Sequence, residues 1–427
     1  MENNSIPQWL RLDNSALLYP SIATKRISLM FRLSVTLKEK IDVNILQEAT
    51  NNTIKRIPSF SYRLRTGLFW YYFSYIDDVL NIEPDANNQM IKIKWKDNKH
   101  FMFRVRYFEN KISIEIFHAL TDGMGGLTFL LTLVGEYLKL KYNCQIEYSD
   151  LILNPLEKPK KEEYEDAFKK ITGKIGKIEL EKTAYHFKGT VEESHLINII
   201  TGKIPLTKLK EVCTKYNCSI TEFITSVMIY SIQEIKEKDK SLKGKNKSIK
   251  IAVPVNLRKI YNYKTLRNFS SYVNVGIDCQ YGHYDFDEIV TIVKSQMKLM
   301  VNEKRLNAKI LGNVKAEKHF LLRIIPMFIK KHFISLAEKI LGDRYCSSNL
   351  SNLGNIDIPK EMANYISKLE IIIGRSKSKP GTASCIGFNN NLYLSFSRRI
   401  KEAEFERIFF KYLVDLNIPV EIESNER

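Results

Sequence analysis

Two segments alternate strictly between apolar and other side chains: HFMFRVRYF (His100–Phe108) and KISIEIF (Lys111–Phe117), with only Glu109 and Asn110 between them. Period-two alternation marks half-buried strands, and so short a connection lets them pair only as an antiparallel hairpin. The chain leaves the second strand through HALTDG (His118–Gly123) and enters GLTFLLTLVGEYLKL, apolar enough to read as a largely buried helix. A hairpin that feeds a buried helix calls for a sheet with helices packed on it.

The rest of the chain repeats that mixture. ISLMFRLSVTL (Ile27–Leu37) reads as a strand, and Asp42 as the N-cap of a helix carrying Val43, Leu46, Ala49, Ile54 and Ile57 before Pro58 stops it. FSYRLRTGLFWYYF (Phe60–Phe73) is strand-like around a Gly67 turn. A charged stretch follows, with few large apolar residues, and reads as a linker over 161–185. Beyond it, Ser219-Ile-Thr-Glu222 fits a capping box. SIKIAVPVNL, SSYVNVGIDCQ and ISKLEIIIG read as strands, TASCIGFNNNLYLSFSR as a hairpin, and EAEFERIFFKYLVDL as an amphipathic closing helix. The expected fold class is therefore α/β, with α+β mixed sheets in two lobes, 1–160 and 186–427.

Charge and cysteine usage bound the function. The formal net charge of +18 favours acidic partners. Lys and Arg are spread throughout rather than clustered with aromatics, which argues against a nucleic-acid partner. The six cysteines lack CxxC or metal-ligand spacing, so no metal is expected and free thiols in a reducing compartment are. No secretory leader and no bilayer-length apolar run is visible, so the chain reads as cytoplasmic. HFLLRIIPMFIKKHFISLAEKIL (His319–Leu341) is basic and apolar. A pair of helices packed on the domain is the preferred reading of it, and contact with a membrane surface the disfavoured one.

HALTDG admits two readings. A strand end is where a rigid scaffold presents chemistry to a cleft, and a histidine that titrates near neutrality can serve there as a general base. Alternatively His118 is a hydrogen-bonded core residue and Asp122 simply caps the next helix. The nucleophile-elbow, phosphate-loop and zinc-helix motifs are all absent.

FHALTDG resembles the HxxxDG signature of the chloramphenicol-acetyltransferase-like superfamily of acyl-CoA-dependent acyltransferases, and most nearly its microbial alcohol-acetyltransferase-like and condensation-domain-like members. The resemblance extends in order through RIPSFSYRLRTGLFWYYF, IAVPVNLRKI, TLRNFSSYVNV, SNLGNIDIP and FNNNLYLSFSR. It implies two lobes meeting at a tunnel. His118 would be the general base for direct attack on a thioester in a ternary complex. Asp122 would form a salt bridge with an arginine, for which Arg63 is the candidate, and Gly123 would allow the sharp turn into the helix. Asn274 and Arg258, in YVNV and PVNLR, become candidates for substrate or oxyanion contact. Ser351 and Asn352 match a motif with no chemical role that the sequence can assign.

The implied activity is transfer of an acyl group, most simply acetyl, from acyl-CoA (acetyl-CoA) to a small-molecule alcohol or amine. Alternatives are a donor bound to an acyl-carrier protein, or a degenerate binding protein of the same fold. Phe117 stands where condensation domains usually have a first histidine, and the aromatic-glycine signature of the plant enzymes is absent, which points toward free CoA donors.

Overall fold

The computed structural model describes residues 6–425 apart from 25–26, 87–88, 175–180, 194–195, 240–245, 319–323, 342 and 377–378. The hairpin forms as its alternation dictates: Phe103–Phe108 pairs antiparallel with Lys111–Phe117, and the latter pairs on its other side with Met30–Leu37. Ile112, Ile114 and Ile116 lie in the core of this lobe. The helix Gly123–Tyr142 packs directly on that face. A Cβ on Gly126 would stand 2.9 Å from Ile116 and 3.0 Å from Phe31. Asp42 caps the companion helix Val43–Arg56 by accepting from the amides of Asn44 and Ile45.

Alternation predicts a solvated second face, but the chain from Met90 to Met102 covers it and a buried ion network fills it. Glu115 accepts from Arg32 at 2.8 Å and from Arg104 at 2.6 Å, and its Oε1 also takes the Met90 amide. Burial alone would raise the Glu115 carboxyl. The guanidiniums of Arg104 and Arg32 outweigh it and hold the group below the usual carboxylate range. Removing one member of a buried network strands the others, so Glu115→Ala should cost about 3–5 kcal/mol of stability. Denaturant midpoints would read this, and a loss below about 1 kcal/mol would mean that the network contributes little net.

A seven-stranded sheet organises the second lobe in the order Ser270–Ile277, Ile249–Asn256, Ser348–Asn355, Gly381–Phe388, Asn391–Arg398, Asn198–Pro205, Glu421–Ser424. Helices Ile220–Lys238, Phe286–Met300 and Glu404–Asp415 contribute to its core. The first of these starts on the expected capping box of Ser219 and Glu222. All six cysteines are free.

Two features differ from the sequence reading. Strand Ile366–Ile373, late in the chain, lies in the first lobe's five-stranded sheet, antiparallel to Met30–Leu37, with Ile371 opposite Leu33. The stretch read as a linker is anchored rather than free. Glu163 makes a two-pronged ion pair with Arg56 at 2.7 and 2.8 Å, and Phe168 is buried in the second lobe's core. Charge content hid this, because one carboxylate facing a buried arginine looks in sequence like any solvated one. Its residues 175–180 lie outside the described set.

A small sheet of Trp9–Arg11, Tyr71–Tyr75 and Tyr62–Thr66 projects from the first lobe. Its hairpin end meets the helix Met327–Leu341, where the Met327 amide and the Lys330 ammonium donate to the carbonyls of Leu68 and Phe69, each at 2.7 Å. Of the basic apolar segment, 319–323 lies outside the described residues. No helix among the described residues is long and apolar enough to cross a membrane.

Candidate active site

The HALTDG turn is held from both lobes. The His118 amide still donates to Leu29 at 3.0 Å, after which Leu120 turns back onto the Phe117 carbonyl at 2.9 Å. Thr121 Oγ1 then donates across the lobe boundary to the Leu266 carbonyl at 2.6 Å, and Asp122 Oδ1 caps the helix by accepting from Gly125 at 3.1 Å. Gly123 does not need glycine for its dihedrals, and a Cβ there would meet only the flexible tip of Leu353 at 2.9 Å. The position that excludes a side chain is Gly125. A Cβ there would fall 2.1 Å from Thr121 Oγ1 and 2.2 Å from the Leu266 carbonyl oxygen.

His118 is oriented by Asn268, a residue the sequence reading missed. Asn268 Nδ2 faces Asp13 Oδ2 at 3.4 Å and the Ala119 carbonyl at 3.3 Å, both acceptors. That turns Asn268 Oδ1 toward His118 Nδ1 at 3.2 Å, so Nδ1 carries the proton and donates. Nε2 is left as the basic nitrogen, with no partner among the described residues. The ring stacks on Tyr19 at 4.6 Å and meets the edge of Phe31 at 5.3 Å. Burial pulls the imidazole pKa below its usual 6.5. The histidine's own backbone, the Asp122 charge and Asn268 oppose that shift without cancelling it. Behind Asn268, Asp13 is wholly buried and burial pushes its carboxyl up to about 6, against the pull of Arg267.

The arginine that pairs with Asp122 is Arg258, not Arg63. Arg258 Nη1 lies 2.8 Å from Asp122 Oδ2, which also accepts from the Phe269 amide at 2.8 Å. Arg258 Nε and Nη2 donate to the carbonyls of Thr265 and Arg267 at 2.7 and 2.5 Å. Arg258 therefore acts as a brace for the turn, and it also lines the cavity. Burial would raise the Asp122 carboxyl, but Arg258 and the two amides hold it below its ordinary range. Arg63 sits opposite Ser74 in the small sheet, its Nε buried without a partner. The sequence could not separate these arginines, because the pair is 136 residues apart and forms only once the second lobe folds over the turn.

Asn274 is also placed elsewhere. Its Nδ2 donates to both carboxylate oxygens of Glu181 at 3.0 Å, and it does not line the cavity that holds His118. Hydroxyls that do line that cavity include Ser270 and Ser271, at the start of the strand following Asn268.

The cavity measures about 840 Å³ and runs between the lobes. The first lobe contributes Tyr19, His118 and Met124, and the second contributes Asn256, Ser270, Tyr272 and Ser351–Gly354. Ser351 and Asn352 thus acquire a place: Asn352 fixes the wall by donating to Thr221 Oγ1 and accepting from the Gly354 amide. The helices Glu303–Lys318 and Met327–Leu341 close one side with Lys309, Met327 and Lys330. Lys309 lies 3.4 Å over the Tyr272 ring, and burial lowers its ammonium to about 8. Among the described residues no cluster of three or more His, Cys, Asp or Glu is arranged to hold a metal.

No protein-family model matches the sequence, and no curated protein matches it either. Solved structures do match along the whole chain. Trichothecene 15-O-acetyltransferase from Fusarium sporotrichioides is 10% identical, with 96% of this chain and 94% of that one covered at a TM-score of 0.58. A second F. sporotrichioides protein, solved with coenzyme A and T-2, gives 9% identity, 98% and 100% coverage and 0.61. The starter condensation domain of rhizomide synthetase, solved with C8-CoA, gives 9% identity, 96% and 95% coverage and 0.62. The fold of this chain is accordingly the two-lobed chloramphenicol-acetyltransferase-like fold that these acetyltransferase and condensation-domain structures share.

Proposed function

We propose that this protein is a CoA-dependent acyltransferase that moves an acyl group, most simply acetyl, onto a hydroxyl of a small molecule. The observation that carries this reading is the contact of His118 Nδ1 with Asn268 Oδ1, which leaves Nε2 as the basic nitrogen, without a partner among the described residues, in a side chain on the wall of a cavity between the lobes. In the step envisaged, the acceptor oxygen attacks the thioester carbonyl as His118 Nε2 takes its proton. The C–S bond then breaks and the proton passes to the departing CoA thiolate. Cavity volume and the cationic Lys259 and Lys309 on its wall suit a polyanionic donor. Asp122, Arg258 and Asn268 are positioning residues. Asn274 is spent on Glu181, so the oxyanion is left to donors on the cavity wall, such as the hydroxyls of Ser270 and Ser271.

Thiol release from acetyl-CoA and longer acyl-CoAs, with a panel of alcohols and amines, tests this directly. Acceptor-dependent release supports it. Silence with every free CoA donor counts against it and turns attention to carrier-bound donors.

The lowered pKa of His118 makes a second prediction. A base works unprotonated, and a depressed pKa keeps it so to lower pH, so the acidic limb of kcat/KM should fall below pH 6.5. A limb above pH 7 would assign the controlling ionisation to another group.

A further inference from the structure

Three neighbouring elements each turn one side into the cavity and the other to solvent, and the outward sides are apolar. The helix Met327–Leu341 sends Met327, Lys330 and Ile334 into the cavity wall. At 100° per residue, Phe328, Ile329, Phe333 and Leu336 share the opposite face, and all four are exposed; Phe328 and Phe333 are 63% and 62% so. The hairpin beside it places Trp70 and Tyr71 in the wall while its tip exposes Phe69 and Leu68, the latter by 67%. Leu18 is exposed next to Tyr19, the residue stacked on His118. The carbonyl bonds from Leu68 and Phe69 to Met327 and Lys330, and Lys330 lying 3.5 Å over the Trp70 ring, join hairpin and helix into one surface.

Charge says what covers that surface. Among the described side chains, its exposed ionic groups are basic: Arg65 on the hairpin, and Lys331 beside His332 on the helix. No acidic residue occurs from Arg63 to Ile76 or from Met327 to Leu336, in a chain of net charge +18. Exposed phenylalanines and leucines edged by cations match the interfacial layer of an anionic bilayer, where rings bury among acyl chains and cations meet phosphates. A protein partner would leave unexplained why the same elements line the cavity.

We infer that the outer face of Met327–Leu341 and the hairpin tip at Leu68 and Phe69 dock this protein on an anionic membrane surface, bringing the cavity wall against the lipid. This reverses the sequence expectation for the segment and does not depend on the acyl-transfer reading.

Co-sedimentation with vesicles tests it, using phosphatidylcholine alone and phosphatidylcholine with phosphatidylglycerol. The full-length protein should partition onto the phosphatidylglycerol vesicles, less so as salt rises. F328S/F333S should lower that partition about ten-fold or more, and L68S/F69S should do likewise. These side chains are exposed, so unchanged thermal unfolding would show that neither variant acts through misfolding. R65E/K331E should remove the preference for phosphatidylglycerol. Failure of the wild type to bind at low salt overturns the inference, as does equal binding by wild type and F328S/F333S. So does a concentration-dependent dimer that F328S/F333S converts to monomer, since a second copy would then be the occupant.

Discussion

His118→Ala should lower acceptor-dependent thiol release by about 10²–10⁴-fold in a protein that remains folded. The size follows from general-base catalysis, for which His118 Nε2 is the basic nitrogen left without a partner among the described residues. The expectation that it stays folded follows from the surroundings. The side chain is only partly buried, between Tyr19 and Phe31, and its hydrogen bond to Asn268 is the one it makes to another side chain. Circular dichroism beside the rate measurement would separate the two effects. A folded His118→Ala enzyme that matches an active wild type would remove His118 from the mechanism.

Asp122→Ala is expected to damage both stability and rate. The carboxylate receives Arg258, the Phe269 amide and the Gly125 amide, and it is almost wholly buried. Removing it strands a guanidinium at the lobe boundary and orphans two donors, which should cost about 3–5 kcal/mol. Arg258→Ala removes the charge left over, so the double variant should be less damaged than the two single losses added together. Purely additive losses would show that the pair is not coupled. The pH dependence has a definite sign. The folded carboxylate resists protonation while the unfolded one accepts a proton near 3.8, so this group's stabilisation is intact at neutral pH and drains away as pH falls below that value.

Local rules made a large part of the fold legible. The hairpin, the Asp42 cap, the Ser219 capping box and the buried helix after HALTDG all depend on residues close together in sequence, and all are present. The site was legible only where it is local. His118 and the capping Asp122 stand out as a motif, whereas Arg258 and Asn268 reach them across 136 and 150 residues, and Asp13 reaches Asn268 across 255. A signal for Asn268 does exist, since TLRNF directly precedes the SSYVNV strand, but nothing in one sequence says that its asparagine faces a histidine. Arg63 failed for a related reason, since an arginine on an aromatic strand and one after PVNL look equally able to meet a carboxylate. Glu115 shows the opposite error, where alternation alone implied solvent and a distant covering segment made the face dry.

The placement of Ile366–Ile373 bears on how this protein can be made. The partner of Met30–Leu37 on one side is synthesised more than three hundred residues after it. Until then the first lobe holds an open, apolar edge able to pair with another chain. The late strand closes it over the longest sequence separation of any strand pairing among the described residues, a contact that is slow to form because so much chain must be ordered first. A fragment ending at the lobe boundary should therefore aggregate rather than fold, and the two lobes should unfold together rather than as separable domains.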